Sequence, residues 1–157
     1  MTECSQDSLT EERLNEWLEC RGFESTVVED KYSYYDYDSD EIGIGFEPPS
    51  HVKYYRKFCN KLGLKVNGLD WKTLAFLHEL GHAETLCELT LLDIIGEYVK
   101  IFTNTVSNSE FMLRLKANIY YRTGLEIKAT KWAIGYINSH YKDVIELDNI
   151  MKNLELK

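Results

Sequence analysis

The chain has 157 residues and a formal net charge of -8, from 26 acidic and 18 basic side chains. This length predicts one domain, residues 1–157, with enough apolar side chains to form a core. The acidic balance argues against nucleic acid as a partner, because phosphate contact needs clustered Lys and Arg. The N-terminus lacks the basic start and apolar run of a secretion signal, and no stretch approaches the roughly 20 apolar residues of a membrane span. We therefore expect a soluble cytoplasmic protein with no membrane partner.

The first predicted helix opens at the capping box Ser8-Leu9-Thr10-Glu11 and stops at Gly22. Residues 25–46 are rich in Val, Tyr and Ile, which favours strands, and the acidic cluster over 36–40 predicts a turn between two of them. The second strand of this pair is predicted over 41–46. These segments predict a small antiparallel sheet.

The remainder of the chain is predicted to be helical. Pro48-Pro49-Ser50 starts a helix that ends at Gly63, and Asp70 is a candidate N-cap for the next helix. Further helices are predicted over 85–102, from Ser107 or Ser109 to Tyr121, and from Thr123 to about His140, followed by a weakly helical tail over 144–157 that frays. The fold class is therefore α+β, a mostly helical domain with a small antiparallel sheet near the N-terminus.

The four cysteines, Cys4, Cys20, Cys59 and Cys87, are far apart and include no CxxC pair. A structural zinc site of thiolates needs closer pairing, and a chain of this size folds without disulfides. We predict four free thiols.

The most informative motif is His78-Glu79-Leu80-Gly81-His82, an HExxH pentapeptide within a predicted helix. The two histidines, four residues apart, project from one helix face, so both imidazoles can reach one metal ion. Glu79 lies roughly 100° around the helix, where it can take a proton from a metal-activated water instead of binding the metal. The motif predicts a zinc-dependent hydrolase with Glu79 as general base. The alternatives are an incidental match or a zinc-stabilised domain without turnover.

A zinc site needs at least one further protein ligand. In the extended pattern HExxHxxGxxH, Glu88 would replace the third histidine, but Thr85 stands where that pattern has the glycine whose turn brings position 88 back to the metal. His140 lies near a helix C-terminus, where a histidine is commonly a surface residue that complements the helix dipole.

Glu126 is the favoured third ligand. Ala129 and Ala133 give its helix a small-residue face, which would let it approach the motif helix closely. The alternative is that Glu126 only caps its own helix, as the last residue of the capping box that begins at Thr123.

These residues resemble the gluzincin-type metallopeptidases and, more narrowly, the ImmA/IrrE-like family, in which a helix bearing HELGH is followed by a helix bearing an ExxA-type glutamate. The matching residues are the pentapeptide 78–82 and Glu126, Ala129, Trp132 and Ala133. The order of leading helix, small sheet and helical body is also similar. The resemblance implies a zincin-like domain in which zinc, held by His78, His82 and Glu126, activates a water that hydrolyses peptide bonds.

The chain departs from the family pattern at three points. About 40 residues separate the two matching segments, and an extra helix is predicted over 48–64. Thr130 stands where some gluzincins carry an acidic residue that orients a zinc histidine. A rival function is therefore a phage or mobile-element inhibitor or binding protein that keeps a zincin scaffold without turnover.

The expected partner of the predicted peptidase is a protein or peptide substrate. The strand over 41–46 is predicted to offer its edge to an extended peptide, with Gly43 and Gly45 easing close approach. Four polar residues are candidates for stabilising the oxyanion, and none of them is assigned that role: Tyr120, Tyr121, Arg122 and His140.

Overall fold

The structure, a computed structural model, describes residues 6–45, 52–86, 122 and 124–153. These residues form five helices and three strands, in the order α1 (Gln6–Glu19), β1 (Thr26–Asp30), β2 (Tyr34–Asp36), β3 (Glu41–Gly45), α2 (Val52–Lys61), α3 (Trp71–Thr85), α4 (Gly124–Ser139) and α5 (Tyr141–Lys152). The predicted α+β class is confirmed, with a mostly helical chain and a small sheet near the N-terminus. Helices predicted between residues 87 and 121 lie outside the described residues.

The sheet has the strand order β1-β3-β2. β2 and β3 form the predicted hairpin and pair antiparallel, with Tyr34 opposite Gly43. The expectation of a wholly antiparallel sheet is wrong, because β1 pairs parallel to β3, with Thr26 opposite Glu41. β3 takes the central position because it is the most buried of the described strands, whereas β1 and β2 are largely half-exposed.

The central position of β3 overturns one functional expectation. Both edges of β3 are paired within the sheet, so this strand cannot offer an edge to an extended peptide. Its glycines serve the sheet itself: a Cβ on Gly43 would overlap the Tyr34 ring, and one on Gly45 would overlap the backbone at Tyr32 and Ser33. Among the described strands, β2 is the edge strand that contacts α3.

The N-terminus of α3 is fixed by two aspartates. Asp70 is the predicted N-cap, and its side chain accepts a hydrogen bond from the backbone N–H of Lys72 at 2.9 Å. Asp148 on α5 accepts from the backbone N–H of Asp70 at 2.7 Å and from the Thr73 hydroxyl at 2.6 Å. These bonds tie the start of the motif helix to the C-terminal helix.

The C-terminal segment is better ordered than its sequence predicts. Residues 141–152 form the complete helix α5, so the expectation of a weakly helical, fraying tail is wrong for this range. Val144, Leu147 and Met151 are fully buried against the rest of the core. Packing of one apolar face stabilises a helix that local propensity leaves marginal.

Aromatic side chains join the helices around α1. Trp17 meets the Phe76 ring of α3 edge-on at 6.1 Å between centroids, and the Tyr136 ring of α4 at 6.2 Å. Its indole N–H donates to the backbone carbonyl of Asp143 at 3.1 Å. Trp17 therefore links three other helices to α1 while its polar atom is satisfied.

Cys20 and Cys59 are free thiols, as predicted, whereas Cys4 and Cys87 lie outside the described residues. Burial raises the pKa of the Cys59 thiol to about 11, which disfavours the reactive thiolate. Within the described ranges, no helix combines the length and apolar character needed to cross a membrane.

Candidate metal centre

The site lies where α3 and α4 pack against each other. A Cβ on Gly81 would lie only 2.5 Å from the carbonyl oxygen of Ala129, so this helix position leaves room for nothing larger than glycine. Ala129 and Ala133 are buried, which places the predicted small-residue face of α4 in the core. This close approach lets side chains from the two helices converge.

His78 and His82 of α3 and Glu126 of α4 form a buried group that could hold a metal ion. His78 Nε2 lies 2.9 Å from one carboxylate oxygen of Glu126, and His82 Nε2 lies 3.7 Å from the other. One potential ligand atom from each residue lies within 4.8 Å of those from the other two. The residues are only 5%, 5% and 1% exposed, respectively. The structure thus brings together the two motif histidines and Glu126, the favoured third ligand.

The spacing of these atoms suits a small tetrahedral ion. Zinc bonds of about 2.0–2.1 Å place two tetrahedral ligand atoms roughly 3.3 Å apart. The separations from the histidines to the two Glu126 oxygens, 2.9 and 3.7 Å, lie on either side of this value, and the three ligand atoms all lie within 4.8 Å of one another. Two imidazoles and one carboxylate are also a donor set found in catalytic zinc sites. The residues present therefore fit the predicted metal.

The Glu126 carboxyl is held in its ionised form. Burial would raise its pKa, but its interactions with His78 and His82 outweigh burial and hold the pKa well below the usual range. Both carboxylate oxygens are directed at the histidines, as a ligand requires. Thr123, the partner in the alternative capping role, lies outside the described residues.

The two histidines differ in the hydrogen-bond partner of Nδ1, the ring nitrogen that does not face Glu126. His78 Nδ1 lies 3.2 Å from the hydroxyl of Thr130, which is fully buried one turn beyond Glu126 on α4. If Nδ1–H donates to this hydroxyl, the lone pair of Nε2 is left for a metal, so threonine can orient the ring as an acidic residue would. Within the part of the chain that the structure describes, His82 Nδ1 is buried without a hydrogen-bond partner.

Glu79 is partly exposed on α3, next to His78 in sequence. The helical geometry puts its side chain about 100° around the axis from His78, as expected of a general base that is not a ligand. Its exposure leaves it accessible to a water or a substrate, in contrast to the buried histidines.

Of the other candidates, His140 and Arg122 lie within the described residues. His140 is exposed and stacks on Tyr136 at 4.4 Å. It lies just beyond the end of α4, 14 residues after Glu126, which corresponds to about 21 Å along a helix. Arg122 is exposed, and its guanidinium lies 5.9 Å from the Phe58 ring centroid. Glu88, Tyr120 and Tyr121 lie outside the described residues.

The residues at the site to which sequence analysis gave no role include the following two. The first is Gly81, for which a signal existed, because a glycine inside a helix costs stability unless something packs closely against it. The second is Tyr37, whose ring lies 6.4 Å from the His82 ring. No local pattern could have identified Tyr37, because its neighbour is 45 residues away in the chain.

The surface around the last turn of α3 is acidic. The pKa of Glu84, on α3, is raised first by partial burial and then by the negative charges of Asp40 and Glu24. Asp40 and Glu24 therefore lie close enough to act on Glu84. A ligand that approaches from this side meets negative potential.

Comparison with known proteins identifies no relative: no family model, curated protein or solved structure matches the chain.

Proposed function

We propose that the protein is a zinc-dependent metallopeptidase in which His78, His82 and Glu126 hold the metal and Glu79 is the general base. One observation carries the proposal: a buried His-His-Glu group in which both histidines and the adjacent Glu79 belong to an HExxH motif on one continuous helix. Imidazole rings buried at this depth need a polar partner, and a metal ion is the partner that this donor set suits.

Zinc, when bound, would lower the pKa of a water molecule from 15.7 toward roughly 7 and polarise the carbonyl of the substrate. Glu79 then takes the proton of the attacking water and delivers it to the leaving amine as the peptide bond breaks. Glu126 contributes one negative charge to the metal group, and Thr130 holds the His78 ring in place. Each role follows from the residue's position on α3 or α4.

A peptide substrate could pair with the edge of β2, whereas both edges of β3 are already paired. β2 is an edge strand of the described sheet and contacts α3, and the residue after it, Tyr37, lies against His82. An extended substrate could pair with β2 through backbone hydrogen bonds and so pass the metal group. The acidic surface formed by Glu24, Asp40 and Glu84 favours peptides that carry Lys or Arg.

We also propose a cytoplasmic location. Cys20 is an exposed free thiol and Cys59 a buried one. Unpaired cysteines are typical of reducing compartments.

The test compares the wild type with Glu79→Gln and with Glu84→Gln, a matched change on the same helix at a residue that neither binds the metal nor transfers a proton in the proposed reaction. We expect about one zinc per chain in all three proteins, because neither change touches a ligand. On a peptide library that includes Lys- and Arg-containing sequences, Glu79→Gln should lose at least about 100-fold in cleavage rate. Glu84→Gln should keep its activity on peptides without Lys or Arg, and any loss should be confined to peptides that carry these residues.

Two results would refute the proposal. If the wild type holds no zinc and binds none on titration, the motif is incidental. If the zinc-loaded wild type cleaves no peptide in the library, turnover is absent and the metal group has a structural or binding role.

A further inference from the structure

Tyr37 occupies an unusual place at the mouth of the metal centre. It follows β2 in the turn of the β2–β3 hairpin and is 46% exposed. Its ring meets the buried His82 ring edge-on, at 6.4 Å between centroids and 66° between planes. Tyr32 and Tyr141 are similarly exposed, but of the three exposed tyrosines in the described ranges, Tyr37 is the one in ring contact with the metal group.

Ring packing and hydrogen bonds within the hairpin fix the turn that carries Tyr37. The Tyr35 ring packs edge-on against Tyr37 at 4.9 Å, and the Tyr35 hydroxyl donates to Asp40 at 2.8 Å. Asp40 also accepts from the Ser25 hydroxyl at 2.7 Å, and the Asp36 carboxylate accepts from the backbone N–H of Asp38 at 2.8 Å. The hairpin therefore holds the Tyr37 ring in a defined place.

We infer that Tyr37 is a substrate-contacting residue that contributes to specificity in the peptidase reaction, an inference that rests on the proposed function. The phenol ring lies beside a histidine that is proposed to hold the metal, so it is close enough to contact a peptide bound at the metal. A peptide paired with the β2 edge would also run past residue 37, because Tyr37 directly follows β2. The ring offers a rigid apolar face to a substrate side chain, and the hydroxyl can donate or accept a hydrogen bond.

A competing role is purely structural. His82 Nδ1 has no hydrogen-bond partner within the described residues, so the edge contact with Tyr37 could serve only to keep the His82 ring in its orientation. In that case Tyr37 would influence metal binding instead of peptide binding. The two roles predict different effects of a Tyr37 substitution on zinc affinity and on peptide affinity.

The experiment uses the zinc-loaded full chain and two probes, acetohydroxamate and a tripeptide hydroxamate. Both probes chelate the metal, but only the second presents a peptide. Dissociation constants are measured by calorimetry for the wild type, Tyr37→Ala, Tyr37→Phe and the control Tyr141→Ala. Zinc affinity is measured for each protein by competition with a chelator.

We expect Tyr37→Ala to lower the affinity for the tripeptide hydroxamate about tenfold or more, as for an aromatic contact residue. Its affinities for acetohydroxamate and for zinc should stay within about twofold of the wild type. Tyr141→Ala should leave all three unchanged. If Tyr37→Phe still binds the tripeptide hydroxamate as the wild type does, the ring makes the contact. If Tyr37→Phe loses this binding, the hydroxyl makes the contact.

Unchanged peptide binding in Tyr37→Ala would overturn the inference while the proposed function stands. A parallel loss of zinc and of both probes would overturn it in favour of the structural role. A wild type that binds neither zinc nor acetohydroxamate would overturn the proposed function, and the inference with it.

Discussion

Gly81→Ala adds one methyl group at the tightest contact between α3 and α4. The new Cβ would lie 2.5 Å from the carbonyl oxygen of Ala129 and 3.0 Å from its carbonyl carbon and Cα. All three are backbone atoms, so no side-chain rotation can relieve the overlap. To reach an ordinary contact of 3.4 Å, α4 must recede from α3 by about 0.9 Å.

This displacement has two consequences. Overpacking of this kind costs about 1–3 kcal/mol, of which the better helix propensity of alanine offsets about 1 kcal/mol. Glu126 lies one turn before Ala129 on the receding helix, whereas metal bond lengths tolerate only about 0.2 Å. We therefore expect Gly81→Ala to lower the free energy of unfolding by up to about 2 kcal/mol and zinc affinity by about tenfold or more.

The matched control is Gly135→Ala on α4, where an added Cβ would have no atom within 4 Å. The same chemical change there should raise the free energy of unfolding by up to about 1 kcal/mol and leave zinc affinity unchanged. Equilibrium urea unfolding of the metal-free proteins measures the first quantity, and chelator competition measures the second. If Gly81→Ala behaves like Gly135→Ala in both assays, close packing of the two helices does not shape the site.

Three further predictions concern the surroundings of the site. Thr130→Val keeps the side-chain shape but removes the hydroxyl beside His78 Nδ1, so zinc affinity should fall about tenfold. Thr130→Ser keeps the hydroxyl, and its zinc affinity should remain near that of the wild type. Equal zinc affinity in both variants would mean that packing alone orients His78. Glu126→Ala should weaken zinc binding by orders of magnitude, whereas Glu88→Ala should not, and an unaltered affinity in Glu126→Ala would assign the third ligand to another residue. Asp148→Asn should cost about 2 kcal/mol at pH 7, because the carboxylate accepts from Lys152, Thr73 and the backbone N–H of Asp70. Burial raises the pKa of Asp148, but these partners lower it below its ordinary 3.8, so its stabilising effect is full well above that value and is lost as the pH falls through the folded pKa. Urea unfolding at pH 7 and pH 3 should therefore show a smaller difference from the wild type at the lower pH, and a constant difference would contradict this assignment.

Features that depend on neighbouring residues could be predicted from the sequence. The motif helix begins after Asp70 because that side chain caps a backbone N–H only two residues away. His78 and His82 share a face because the helix repeat places them there. The hairpin turn between β2 and β3 likewise lies within the acidic cluster that predicts it.

Features that depend on distant residues were decided by the tertiary structure. β3 became the central strand because burial selects the most apolar strand, and α5 formed because Val144, Leu147 and Met151 found a core to pack against. Neither outcome follows from local hydrogen bonds alone, because each depends on what the segment packs against.

The metal centre combines both kinds of information. The sequence itself determined the histidine pair and favoured Glu126 as its partner, but only close packing at Gly81 brings that carboxylate within 2.9 Å of His78. The approach of Tyr37 to His82 had no signal in the sequence, because it depends on how the sheet packs against α3. Local chain geometry thus fixes which groups share a helix face, whereas packing between elements decides which of those groups meet.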